Sequence, residues 1–218
     1  MKKIFLALAL FAATVSFAQS DKYVSAMQVR IAALDSTRDV AALNDLAAGF
    51  ERIADAEKTQ WLPYYYAALA RINSGYSISQ GNTGGMAAQL DPIADKAEAL
   101  LNKAEALSKD NSEIFVVRKM IATLRMMADP MSRYMTYGPQ AAAALAMAKQ
   151  LNPNNPRPYL LEGQDKFYTP PQFGGSKEDA VTLWKEALVK FASFKPADPL
   201  APTWGRRTTE YFLAQAEK

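Results

Sequence analysis

The sequence predicts an all-α fold, an α-solenoid of antiparallel helix pairs with long loops inside the pairs. Three observations carry this. Apolar residues recur at three and four along most of the chain, the period of an amphipathic helix. Pro and Asn clusters punctuate those stretches where a helix must stop and another start. And the chain repeats itself: Ala104, Leu107, Asn111 and Phe115 recur 44 residues on as Ala148, Leu151, Asn155 and Tyr159. The eight-residue step of Leu107–Phe115 and Leu151–Tyr159 is also that of Ile53–Trp61, 54 residues before Leu107–Phe115. A self-similar unit of this size, holding two helices, cannot bury its apolar face alone and stacks on its neighbours.

The clearest junction is 148–167. Ala148 and Leu151 close one helix, and Pro153 and Asn155 end it, Asn being tolerant of left-handed backbone. Pro156 and Pro158 fall in the first turn of the next helix, where a missing N–H does no harm. Tyr159 and Gly163, four apart, place a ring where a side chain is missing.

The other elements follow in order. Val24, Met27, Ile31 and Leu34 mark a first helix over 21–34, and Ser36 is placed to cap the second, whose stripe is Val40, Leu43, Ala47, Phe50 and Ile53. A third covers 60–73, with Trp61, Tyr64, Tyr65 and Ala68 on one face and Pro63 in its first turn. A break is expected over 74–85, with helix resuming after Asp91 and Pro92 through Ala97, Leu101 and Ala104. Ser112 is placed to cap a helix bearing Phe115, Val116, Lys119, Met120, Leu124 and Met127, which Asp129 and Pro130 end. A second insert is expected over 131–138, before Pro139 opens a helix with Ala141, Leu145 and Ala148. A third loop follows at 168–175. Ser176 and Asp179 form a capping-box variant for Ala180, Trp184 and Ala187. Pro196, Pro199 and Pro202 then lead to a last amphipathic helix over 204–216, giving about nine helices in all.

Composition sets the bounds. The 218 residues are 50% apolar, enough for one domain with a sizeable core. Lys2 and Lys3, the apolar run 4–15 and Ser16-Phe17-Ala18 have the pattern of a secretory signal peptide over 1–18, with cleavage expected after Ala18 and a helical domain at 19–218. No stretch is long and apolar enough to span a bilayer, and without Cys there is no lipid-bearing cysteine or disulfide. The expected compartment is outside the cytoplasm, with the periplasm fitting best. The formal charge of +3 falls to +1 once Lys2 and Lys3 are removed, which makes no case for nucleic acid.

Ala97/Leu101/Ala104, Ala141/Leu145/Ala148 and Ala180/Trp184/Ala187 share one spacing, two small residues around a large one. Each follows a helix that begins with an aromatic: Trp61, Phe115 or Tyr159. In this the chain resembles the tetratricopeptide repeat family, in an exported bacterial form, with three repeats at about 58–108, 112–151 and 156–194. The best single match is Tyr159, Gly163, Ala180, Trp184 and Ala187. The chain departs from the family in the longer gaps from Tyr65 to Ala97, Lys119 to Ala141 and Gly163 to Ala180, and in Tyr65 and Lys119 standing where a small residue is usual.

The resemblance implies a concave groove lined by the first helix of each pair. By position it would hold Leu62, Tyr66 and Leu69, then Val116, Met120 and Thr123, then Leu160, Gln164 and Phe167. This apolar lining suits a helix or hydrophobic segment and lacks a clamp for a carboxylate terminus. The alternative is that these residues are core. The three inserts would gather on one edge and give it Tyr76, Met131, Tyr134, Met135, Tyr137, Tyr168 and Phe173, residue types favoured at interfaces; alternatively these tuck inward and cap the bundle.

No catalytic site is expected. The absence of His and Cys excludes Ser-His-Asp and Cys-His nucleophiles and ordinary zinc sites. Ser-x-x-Lys does not occur, and Gly81, Gly84 and Gly85 are not followed by the Lys-Ser/Thr of a phosphate loop. Asp91, Asp95 and Glu98 read as a solvated helix face. The expectation is therefore a non-catalytic protein-interaction or scaffold module of the bacterial envelope, without a cofactor, binding a protein or peptide partner. Its rival is a small-molecule or lipid-binding component of an envelope transport system, and a third possibility is a homo-oligomeric structural protein. A closed apolar cavity would favour the small ligand.

Overall fold

The computed structural model describes residues 21–196 and 198–217; the expected signal peptide and its cleavage site at Ala18 lie outside them. Among the described residues there are nine α-helices and no strand. They are α1 (21–36), α2 (Val40–Glu57), α3 (Trp61–Ser79), α4 (Ala87–Leu107), α5 (Ser112–Ala128), α6 (Pro130–Leu151), α7 (Arg157–Tyr168), α8 (Lys177–Ser193) and α9 (Arg206–Ala216), with one 3-10 turn at Pro171–Phe173. No helix among the described residues is long and apolar enough to cross a membrane. From α2 to α9 each helix packs on the next in sequence, and α3 also touches α5.

Of the three expected long loops, the second is helix throughout and the first is helix over 74–79. Gly75 is not a break: a Cβ there would meet Leu124 Cδ2 at 2.6 Å, so the glycine lets α3 and α5 approach closely. Tyr76, one turn from the end of α3, donates its hydroxyl to Met120 O at 2.9 Å. The real loop is confined to 80–86, where Gly84 and Met86 donate N–H to Met127 O (2.9 Å) and Ala128 O (3.0 Å) at the end of α5. α4 therefore begins at Ala87, with Pro92 inside it. The second insert does not exist. Pro130 is the first residue of α6, the position proline fills without loss. Arg133 then grips Asp91 with both terminal nitrogens, at 2.6 and 2.8 Å, and holds the new helix on α4.

Several expected local roles also change hands. Asp39, not Ser36, caps α2 by accepting from Ala42 N at 2.8 Å. Asn111, not Ser112, caps α5, while Ser112 donates to Ala148 O at 2.7 Å. Ser176 caps α8 as expected. Positive φ at non-glycine residues falls on Lys58, Gln80 and Asp110, not Asn155. The space at Gly163 is taken by Trp184, not Tyr159: a Cβ would meet the indole Cδ1 at 2.6 Å. The small-large-small positions Ala97, Leu101, Ala104, Ala141, Leu145, Ala148, Ala180, Trp184 and Ala187 are all buried.

The main core runs from Met27 and Leu34 of α1 through α2–α6 to Leu161 and Leu200. A smaller one joins Leu160, Ala180 and Trp184 to Phe167, Phe212 and Leu213. The segment between α8 and α9 crosses the inner helices. Leu200 O accepts from Tyr66 Oη at 2.7 Å, Trp204 Nε1–H donates to Tyr65 Oη at 3.0 Å, and Pro202 O accepts from Arg157. Beneath it, burial pushes the Tyr65 and Tyr66 phenols well above their ordinary range, so both stay neutral.

Candidate functional site

The residues assigned to the groove are brought together, but mostly as interior. Leu62, Tyr66, Leu69, Val116, Met120 and Leu160 are buried, and only Thr123, Gln164 and Phe167 keep partial exposure. The segment around Leu200 lies on Tyr66, so this face is filled by the chain itself. The assigned edge residues scatter. Tyr76 lies half-buried in α3. Met131, Tyr134 and Met135 are exposed on α6, Tyr137 sits against Arg125, and Tyr168 and Phe173 flank the α7–α8 connection.

The cleft that combines an apolar floor with one cationic wall lies elsewhere, between α4, α5 and α6. It has a volume of about 350 Å³ and takes Glu98 from α4, Phe115, Arg118, Ile121, Ala122 and Arg125 from α5, and Gln140, Ala143, Ala144 and Met147 from α6. The periodicity of α5 builds one wall, since Phe115, Arg118, Ala122 and Arg125 are spaced at three and four and share a face. Alanines at 122, 143 and 144 keep the slot open, with Phe115 and Met147 supplying larger apolar surface. A second hollow, between α1 and α2, is lined by Val29, Ala33 and Leu46 with Arg30 and Asp45 and is more open.

The charges of the cleft come in a ladder. Asp91, Asp95, Glu98, Asn102 and Glu105 recur at four and three along α4. Facing them, Arg133 takes Asp91, Arg125 takes Asp95 at 2.7 Å and Glu98 at 2.8 Å, and Arg118 takes Glu105 at 2.7 Å and Asn102 at 3.2 Å. The hydrogen bonds from Arg133 hold the Asp91 carboxyl below its usual value. Burial works against the charge on Arg125, and Asp95 and Glu98 outweigh it. Asp91, Asp95 and Glu98 lie on a partly solvated face, as expected, and are at the same time cross-helix partners of arginines. The sequence reading missed Arg118, Arg125, Ala143, Ala144 and Met147. A signal was there: Arg118 and Arg125 are seven apart, so they share one face of α5.

A buried polar network ties the inner helices together. Glu113 accepts from Arg157 at 2.7 Å, Asn155 at 2.8 Å and Tyr65 at 3.3 Å. Burial pushes its carboxyl up, opposed by the Arg157 charge. Arg157 Nε alone in this network is buried without a partner, and none of these residues lines the cleft.

Among the described residues the protein is all-helical and carries an amphipathic cleft between α4, α5 and α6. Over most of its length it is similar to a solved structure, the HusA haemophore from Porphyromonas gingivalis, with 35% sequence identity, a TM-score of 0.78 and coverage of 89% of this chain and 92% of that one. The chain belongs to the family of that haemophore. No family model matches it, and no curated protein does.

Proposed function

We propose that this chain is an exported tetrapyrrole-binding protein and that the α4–α5–α6 cleft is its site. The kinship with a haemophore carries this reading, and the chemistry of the cleft fits such a cargo. A porphyrin is flat and apolar with carboxylates at one edge. The cleft offers Phe115, Ile121, Ala122 and Ala144 to the ring and two guanidiniums to the carboxylates. With seven residues between them, Arg118 and Arg125 stand roughly 10 Å apart along α5, giving two separate anchors. His and Cys, two common haem ligands, do not occur in the sequence, which leaves Met147 as a thioether donor within the cleft. Export rests on the amino-terminal pattern of 1–18. The tetratricopeptide-like reading of the fold belongs to the same proposal and is supported by the buried small-large-small positions. A protein-scaffold role is the weaker reading, because the face it would use is filled by the chain's own segment around Leu200.

Titrating residues 19–218 with haem is expected to give a saturable shift of the porphyrin absorption band at one haem per chain. Replacing Arg118 and Arg125 together by glutamine is expected to weaken binding at least about tenfold, since hydrogen bonds to charged groups contribute about 1.5–3 kcal/mol each. The helical circular dichroism should stay unchanged. A wild-type chain that leaves the haem spectrum unaltered at high protein concentration contradicts the proposal.

A further inference from the structure

We propose that Asp95, Glu98 and Glu105 are internal stand-ins for the ligand's carboxylates, so that binding proceeds by salt-bridge exchange and the site selects dicarboxylates. The inference rests on the cleft being the tetrapyrrole site.

The three rungs of the ladder differ in build. Arg133 holds Asp91 with two nitrogens and also donates to Arg125 O at 3.2 Å; this rung lies outside the cleft lining. It is a closed structural pair. Arg125, by contrast, divides its two terminal nitrogens between two carboxylates, one bond to each, and Arg118 meets Glu105 through a single nitrogen. Single-point pairs leave donors free and exchange partners without turning the guanidinium.

The exposures point the same way. The Arg125 side chain is 12% exposed, while Asp95 is 67% and Glu98 43% exposed. The cation is fixed in the wall, its ring neighbour Tyr137 lying 6.0 Å away. The anions stand in water, where such a pair contributes little and is readily replaced. Glu98 also lines the cleft, so an arriving carboxylate meets Arg125 where Glu98 now sits. A neutral ligand has nothing to offer in exchange and leaves the internal pairs intact. The acids therefore act as a threshold that only an anionic ligand crosses at both arginines.

The test compares haem with its dimethyl ester, in the same aqueous dimethyl sulfoxide, on wild type, Asp95→Asn/Glu98→Gln and Glu105→Gln. All three carboxylates are at least partly exposed, so the variants should keep the wild-type circular dichroism and melting curve. Removing the internal competitor is expected to tighten haem about fivefold in each variant, the range an exposed ion pair supplies. The ester's affinity should not change. Equal tightening of both ligands, no change, or weaker haem binding overturns the exchange. If wild type binds neither ligand, the tetrapyrrole reading has itself failed, and this inference with it.

Discussion

Replacing Arg157 by methionine is expected to cost about 3–5 kcal/mol of folding free energy, because it strands a carboxylate in the core. Arg157 is fully buried. It bonds Glu113 and the carbonyl of Pro202 and lies between the rings of Phe194 and Trp204, with centroids at 5.2 and 5.3 Å. Asn155 extends the network to Ser112, and Ser112 to the end of α6 at Ala148. One side chain thus joins α5, α7 and the segment before α9. Without it, Glu113 keeps only Asn155 and Tyr65. The pH dependence follows with a definite sign. Burial already raises the Glu113 carboxyl in the folded state, so the native chain holds that proton more tightly than the unfolded one. Its contribution is fully present below the unfolded value, about 4.3, and is lost as pH rises through the folded value. Losing the Arg157 charge raises the folded value further. Urea midpoints of the variant should therefore fall more steeply than those of wild type as pH rises above the unfolded value. Parallel midpoints, or a loss under about 1 kcal/mol, contradict this account of the network.

Trp184→Ala is expected to cost about 3–5 kcal/mol, and to do so locally. The indole is fully buried, stacks on Phe212 at 5.4 Å, touches Phe167 at 5.5 Å and donates Nε1–H to Leu160 O at 3.1 Å. It is the largest member of the small core that joins α7, α8 and α9. Hydrogen exchange should accelerate in these three helices while α2–α5 stay protected. Gly163→Ala offers an internal check. In wild type it forces a methyl against the indole and should cost about 1–3 kcal/mol. In the Trp184→Ala background that cost should disappear. Additive losses would mean that Gly163 is required for some reason other than the ring.

Helices were legible where the apolar period was clean, as in α2, α5 and α8, because one face of each is buried and the other wet. The first part of α3 was also legible, over 60–73, but its last turns were not, because Gly75 and the nearby serines look like a loop. Gly75 is instead a close approach to Leu124. The 131–138 stretch reads as an insert from Pro130 and Gly138, but Arg133 pins it to Asp91, a partner 42 residues away that no local pattern reveals. The repeat pointed to the small-large-small positions, yet not to the segment near Leu200 that covers the inner face. The cleft was hidden for a similar reason: its arginines and acids sit on different helices, and only packing brings Arg125 to Asp95 and Glu98.

The central claim is the place of the ligand. Hydrogen exchange read by mass spectrometry, with and without saturating haem, tests it on the intact chain. The cleft predicts new protection in peptides covering 115–125 and 140–147, with little change at 62–69 and 160–167. Protection centred on 62–69 and 160–167 would contradict it and return the ligand to the inner face beneath Leu200.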